Sequence, residues 1–223
     1  MADQKKKGEE LNDKLIETKQ EWAREGRHLT GEEAKPWLKR KRLPPGQHQT
    51  KKWPVLDLGV QPNITTKDWN LTVGGKVANQ INWNWDDFMA QPQTKLNADI
   101  HCVTTWSLFD SKWEGVSARH LLEVVKPAPT IKFLVFHSHD GYTTNVPLEH
   151  FAAEDVLLAH SWNGAPITRE HGGPVRVMIP KLYFWKSAKW LKYIFFSERD
   201  IPGYWEVRGY HDAGDPWLEE RYR

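Results

Sequence analysis

Glycine and proline divide the apolar residues of this chain into short segments, and this division constrains its fold most strongly. The 223 residues include 15 glycines and 14 prolines. No apolar run reaches the roughly 18 residues that a membrane-spanning helix requires. Most apolar segments have the length and alternation of strands, and only a few have helical spacing. The sequence therefore predicts a soluble α+β protein in which strands dominate.

The positions of these elements follow from the same pattern. Strands are predicted at 69–74, 98–103, 131–137, 175–180 and 190–196. Helices are predicted at 85–90 and 118–125, the second ended by a proline, while 155–160 suits either a strand or a helical turn. A glycine pair at 74–75 predicts a turn, and the aromatic tail from Ile201 predicts irregular but packed structure.

A break at Leu43-Pro44-Pro45-Gly46 predicts two regions. Residues 1–45 are expected to form a basic, partly helical arm, with a helix at 9–27, a second one starting at Thr30 and a basic run at 39–42. Residues 46–223 are expected to form the catalytic domain. The first 52 residues hold the excess of lysine and arginine, which argues against a nucleic-acid-binding body.

Cys102 is the single cysteine of the chain. An intrachain disulfide and a zinc site with several cysteines are therefore excluded. Cys102 is either a small buried core residue or a lone thiolate that acts as nucleophile or metal ligand.

Polar residues cluster in four segments, at 101–106, 137–142, 171–176 and 186–190. Taken singly, these are explained by solvated turns and surface lysines. Taken together, they predict one site: Arg176 in an apolar strand needs a partner, the glycine pair at 172–173 allows backbone N–H groups to approach an anion, and Ser187 and Lys189 add a hydroxyl and a positive charge. A phosphate-bearing cofactor that presents a soft or redox-active metal to Cys102 would satisfy all of them.

Two motifs match a known family. His171-Gly-Gly-Pro-Val-Arg-Val-Met-Ile-Pro, followed by Lys186-Ser-Ala-Lys-Trp-Leu, resembles the sulfite oxidase family of molybdenum-cofactor enzymes. Cys102-Val-Thr-Thr-Trp-Ser resembles the segment around that family's molybdenum-ligating cysteine. The resemblance extends over residues 45–195, and the ending, with Gly209-Tyr-His-Asp-Ala-Gly-Asp-Pro-Trp, resembles a stand-alone, haem-free bacterial branch.

The resemblance implies a mostly β molybdopterin-binding fold in which Cys102 is the protein ligand to molybdenum. It implies cofactor contacts from His48, Ser138, His171, Arg176, Ser187, Ala188 and Lys189. Tyr210 and His211 are the catalytic candidates for delivering protons, and His137, His139 and Tyr142 are further candidates for the pocket rim.

The residues after Cys102 indicate the substrate. They lack the arginine pair of sulfite oxidases and are closer to the Cys-Val-x-x-Trp segment of periplasmic methionine-sulfoxide reductase catalytic subunits. We therefore expect oxygen-atom transfer on a neutral S-oxide or N-oxide small molecule in a pocket lined by Trp106 and Tyr210, with sulfite oxidation as the alternative. Without a haem, flavin or NAD motif, the chain needs a separate electron-transfer partner. We also expect a cytosolic monomer without membrane or nucleic-acid contact, since no export signal precedes the arm.

Two other classes stay open at this point. One is a non-enzymatic module that binds nucleic acid or protein through the basic arm. The other is a mononuclear metal enzyme whose ligands are His137, His139 and either His171 or His211.

Overall fold

The computed structural model describes residues 17, 18, 20, 21 and 42–223. Most of the predicted helix at 9–27, the helix start at Thr30 and most of the basic run at 39–42 lie outside the described residues. Gln20 contacts the end of the chain: its side-chain amide donates to the Arg208 carbonyl oxygen, and the Tyr222 hydroxyl donates to the Gln20 carbonyl oxygen. The predicted boundary at residue 45 stays a prediction.

Residues 42–223 form eleven strands and three α-helices, and the described residues 17, 18, 20 and 21 are helical, as the predicted helix at 9–27 requires. The strands are β1 (His48–Thr50), β2 (Asn70–Gly75), β3 (Ile81–Asn84), β4 (Gln93–His101), β5 (Trp106–Ser117), β6 (Phe133–Ser138), β7 (Thr143–Pro147), β8 (Leu157–Trp162), β9 (Ala165–Pro166), β10 (Arg176–Met178) and β11 (Leu191–Ser197). The helices are α1 (Trp85–Met89), α2 (Ala118–Val125) and α3 (Leu148–Phe151), and four short 3-10 helices lie at Arg169–His171, Phe184–Lys186, Glu206–Arg208 and Pro216–Leu218.

The strands form two sheets. One has the order β1-β5-β8-β10, with β4 paired to β5 and β9 to β8, and the other has the order β3-β2-β11-β6-β7. Among these pairs β1–β5 and β2–β11 are parallel, and the others are antiparallel. Gly115 permits β5 and β8 to approach closely, because a Cβ there would lie 2.1 Å from the Leu158 carbonyl oxygen.

The predicted elements agree with this architecture. Both helices are confirmed, and every predicted strand overlaps an observed one. Residues 155–160 contribute to strand β8 rather than to a helix. The glycine pair at 74–75 ends strand β2 instead of forming a separate turn, with a left-handed φ of 96° at Gly75. Helix α1 begins with a capping box between Asn84 and Asp87, whose reciprocal hydrogen bonds stabilise the start of this short helix.

Candidate functional site

Cys102 lies in a tight loop between β4 and β5. Its N–H donates to the Trp106 carbonyl oxygen at 2.8 Å, and the Thr105 N–H donates to the Cys102 carbonyl oxygen at 3.0 Å. Thr105 has a φ of 75°, in a region that β-branched residues rarely adopt. Such strain persists where the surroundings fix the backbone, and it is concentrated at functional sites. The loop thus holds Cys102, which is 6% exposed, in a defined position.

Other segments of the chain fix this loop from outside. The Gln47 side-chain amide donates to the Cys102 carbonyl oxygen at 3.0 Å. The His48 backbone N–H donates to the Thr105 carbonyl oxygen at 2.8 Å, and Arg221 donates to the carbonyl oxygen of the residue after Cys102. His48 therefore supports the loop through its backbone, and its side chain does not line the cavity described next.

An open cavity extends from the Cys102 loop. Its volume is about 120 Å³, and its mouth opens to solvent. Its walls are largely aromatic and include Trp53, Trp106, Trp185, Trp190, Trp205 and Tyr210. Its charged residues are Asp57, Asp140, Arg176 and Lys189. The predicted pocket residues Trp106 and Tyr210 therefore face the same cavity as Cys102.

Arg176 is a buried cation at one side of this cavity. It is 1% exposed, and its guanidinium lies over the rings of Phe184 and Trp53, 4.1 and 5.3 Å from their centroids. Its terminal nitrogens donate to the His171 and Ser187 carbonyl oxygens, each at 2.7 Å. No ion pair of the described residues includes Arg176. Burial lowers its pKa to about 9. A buried charge without a counter-ion is costly, so the site favours an anion.

His171 lies beside Arg176 and stacks on Trp53, with ring centroids 3.9 Å apart and an interplanar angle of 6°. Burial, together with the charges of Arg176 and Lys189, lowers the pKa of His171 to about 4, so the ring is neutral near pH 7. Its Nδ1 is buried and has no hydrogen-bond partner among the described residues. The same holds for the Ser138 Oγ at the end of β6. Buried polar atoms normally have partners, but neither His171 nor Ser138 is among the residues that line the cavity.

The segment before β11 supplies the remaining predicted contacts. Ser187 lines the cavity, and its hydroxyl accepts a hydrogen bond from the Ile179 N–H at 3.0 Å. Ala188 is buried, and its carbonyl oxygen accepts from the Val177 N–H, so it joins this segment to β10. Lys189 lines the cavity and donates from Nζ to a backbone carbonyl oxygen at 2.6 Å.

One expectation from the sequence is wrong. The glycine pair at 172–173 was expected to offer its backbone N–H groups to an anion, but both groups already donate to backbone carbonyls of the preceding turn, those of Arg169 and Thr168. The glycines serve close packing instead. Gly172 has a φ of 101°, and a Cβ there would lie 2.7 Å from the Lys189 Cβ.

The two catalytic candidates in the tail separate in the structure. Tyr210 is 2% exposed and lines the cavity, where it packs against Trp205 and Trp185. His211 does not line it: its Nδ1 accepts the N–H groups of the residues at 213 and 214 and lies 3.3 Å from Glu220. The structure thus gives His211 a part in ordering the tail and does not bring it to Cys102.

Sequence reasoning missed one buried ion pair beside the cavity. Lys186, which could have been a surface lysine, is completely buried, and its Nζ lies 2.6 Å from Glu206 Oε1. The same Oε1 accepts hydrogen bonds from Thr144 Oγ1 at 2.9 Å and Trp185 Nε1 at 3.0 Å. The ion pair links the tail, which carries Trp205, to the 3-10 helix at Phe184–Lys186, which contributes to the cavity wall. No local signal singles out Glu206, because the tail also carries Asp212, Asp215, Glu219 and Glu220.

The histidine-ligated metal site is not supported. Within residues 17, 18, 20, 21 and 42–223, no three His, Cys, Asp or Glu side chains are grouped to hold a metal ion. His137 instead packs against Tyr193, and the His139 backbone pairs with Trp190. In the same part of the chain, no helix is long and apolar enough to cross a membrane.

Comparison with known proteins agrees with this geometry. Residues 58–205 match the family described as "Oxidoreductase molybdopterin binding domain". The uncharacterized oxidoreductase YuiH of Bacillus subtilis is 45% identical over 183 residues, which cover 81% of this chain and 92% of that protein.

Two further proteins are more distant. A putative protein-methionine-sulfoxide reductase subunit, YedZ1 of Azospira oryzae, is 26% identical over 151 residues, which cover 68% of this chain but 57% of that protein. The crystal structure of the sulfane dehydrogenase SoxCD from Paracoccus pantotrophus matches with a TM-score of 0.56 and 21% identity, over 62% of this chain and 40% of that one. This likeness confirms the expected mostly β fold.

Proposed function

The chain belongs to the oxidoreductase family defined by a molybdopterin-binding domain, and we propose that it reduces a neutral S-oxide or N-oxide small molecule. The class of enzyme and the cofactor follow from the family. The substrate is our inference from the cavity, whose wall combines Cys102 with mostly aromatic side chains.

The side chains around the cavity fit a molybdopterin. Cys102 would supply the thiolate ligand to the metal, because sulfur suits a soft, redox-active metal ion. His171 and Ser138 do not line the cavity, and their proposed contacts with the pterin rest on the sequence resemblance and on their unpaired, buried Nδ1 and Oγ atoms. The buried charge of Arg176, with Lys189 and Ser187 on the same cavity, would bind the cofactor's phosphate.

The molybdenum cofactor supplies two-electron oxygen-atom transfer, and the chain supplies the binding site. The residues that follow Cys102 are neutral, and the cofactor's phosphate would neutralise the charges of Arg176 and Lys189. An anionic substrate such as sulfite would therefore find little positive charge beside the sulfur. A neutral oxide fits the apolar surfaces of Trp106 and Trp205, which also exclude water.

Reduction of an S-oxide to a sulfide takes up two protons and two electrons and releases one water. Tyr210 is the proton donor that we propose, since it lies in the cavity wall. Tyr142 also lies there, but its hydroxyl donates to the Trp185 carbonyl oxygen at 2.6 Å and burial raises its pKa well above the usual value. Its proton is therefore held in a structural hydrogen bond.

Electrons would come from a separate protein or a small carrier. YedZ1 is named as a subunit, so that relative acts with another chain. For this chain the electron donor, the monomeric state and the cytosolic location expected from the sequence are parts of the proposal. Cell fractionation and the size of the purified protein test the last two.

The test of the function uses protein from a host that makes the cofactor. We expect about one molybdenum and one pterin per chain, and oxidation of a reduced viologen when methionine sulfoxide, dimethyl sulfoxide or an amine N-oxide is added. The Cys102→Ser variant should lose this turnover. Sulfite-dependent reduction of ferricyanide without oxide reduction would favour the alternative, sulfite oxidation. Wild-type turnover by Cys102→Ser would contradict the assigned ligand.

A further inference from the structure

Thr104 presents a hydroxyl to the sulfur of Cys102. The two atoms, Thr104 Oγ1 and Cys102 Sγ, are 3.2 Å apart, and both side chains are buried in the cavity wall. A thiolate has no proton to give, so in that state the hydroxyl is the donor and the sulfur is the acceptor. Hydrogen bonds to ionised acceptors are stronger than neutral ones.

The loop holds this contact in place. Thr105 takes its left-handed conformation directly after Thr104, and the Cys102 carbonyl oxygen is bonded by both the Thr105 N–H and the Gln47 amide. The side chain of threonine is also stiff, because it branches at Cβ. The donor is therefore oriented before any ligand binds, and little conformational entropy opposes the hydrogen bond.

This inference rests on the proposed function, in which Cys102 ligates molybdenum. We propose that Thr104 is a positioning residue whose hydroxyl, by donating to the Cys102 thiolate, raises the reduction potential of the metal. A hydrogen bond withdraws electron density from the sulfur, so the thiolate gives less to the metal and the reduced metal is favoured. Hydrogen bonds to ligand sulfurs have this effect in other metal centres.

The test compares Thr104→Val, which has nearly the same shape but no hydroxyl, with Thr104→Ser, which keeps the hydroxyl. Thr94→Val, in strand β4 and outside the cavity, is the matched control. The first measurement is the midpoint potential of molybdenum. It is obtained from a redox titration that is monitored by the electron paramagnetic resonance signal of the metal. We expect a lower potential in Thr104→Val and a wild-type potential in Thr104→Ser and Thr94→Val.

A second measurement needs no cofactor. Cys102 is the single cysteine, so the S–H stretching band in the infrared spectrum of cofactor-free protein belongs to it alone. Because the Thr104 contact perturbs this band, it should shift in Thr104→Val and stay in place in Thr104→Ser. If Thr104→Val retains no molybdenum, the position of the S–H band still shows whether the Thr104 hydroxyl contacts the Cys102 sulfur. A band that does not shift in Thr104→Val would contradict that contact.

The outcomes separate the two proposals. Wild-type protein without molybdenum, from a host that makes the cofactor, would refute the proposed function even if the S–H band behaved as expected. With molybdenum bound in the wild type, an unchanged potential in Thr104→Val would overturn the role of Thr104. An equal fall in Thr104→Val and Thr104→Ser would also overturn it, because that result would assign the effect to packing.

Discussion

Removing the charge of Lys186 should destabilise the fold far more than removing that of an exposed lysine. The Lys186–Glu206 pair is completely buried and its charged atoms are 2.6 Å apart. Lys186→Met leaves the Glu206 carboxylate in the core without its cation. Breaking a buried pair in this way costs about 3–5 kcal/mol, which for a protein of this length lowers the midpoint of thermal unfolding by roughly 6–20 °C.

The assay is thermal unfolding, followed by circular dichroism at low protein concentration. Lys76→Met is the matched control, because Lys76 and Glu198 are also 2.6 Å apart but solvent-exposed. Water already solvates those charges, so the control should hardly change the midpoint. The double variant Lys186→Met/Glu206→Gln should recover part of the loss, since glutamine keeps an acceptor for Trp185 and Thr144 without a buried charge. Equal losses in Lys186→Met and Lys76→Met would refute the reasoning.

Three other substitutions test separate features. Arg176→Met should weaken the affinity for the cofactor by about 10-fold to 100-fold, since each charge-assisted hydrogen bond is worth roughly 1.5–3 kcal/mol. The molybdenum content after dialysis measures this affinity. A wild-type molybdenum content would contradict the assignment of Arg176 to the phosphate. Gly172→Ala should lower the unfolding midpoint more than Gly164→Ala, because both glycines have positive φ but only the first meets other atoms where its Cβ would lie; equal effects would show that backbone strain alone matters. Burial lowers the pKa of His160 below its usual 6.5, so the unfolded chain binds the proton more readily and the free energy of unfolding should fall as pH drops below about 6.5. In denaturant titrations, His160→Gln should reduce this dependence of the free energy of unfolding on pH. An unchanged dependence would exclude His160 as one of its causes.

Local sequence patterns predicted part of the fold, but they missed the long central strand β5 and the short strands β1, β3, β7 and β9. Strand-length apolar segments and the end of helix α2 before Pro127 depend on neighbours along the chain, and those predictions hold in the structure. Of the predicted site, the structure brings Cys102 and Arg176 to one cavity. Arg176 within an apolar strand required a partner, and a single cysteine at a strand end lies in the cavity wall.

Long-range packing explains what the sequence left open. The Gly172 and Gly173 N–H groups donate within their own turn. The sequence does not distinguish this arrangement from donation to an anion, because glycine permits the backbone conformation of either. Lys186 could be assigned to the surface from its neighbours, since its partner Glu206 is 20 residues away and meets it only after the tail folds back over the cavity. The same folding separates adjacent residues: Tyr210 turns into the cavity wall while His211 accepts backbone hydrogen bonds in the tail. The tail thus contributes Trp205 and Tyr210 to the cavity wall, and the Lys186–Glu206 pair links the tail to the segment before β11. Substitutions at this pair should therefore change substrate affinity along with stability, whereas substitutions at Cys102 should act on turnover.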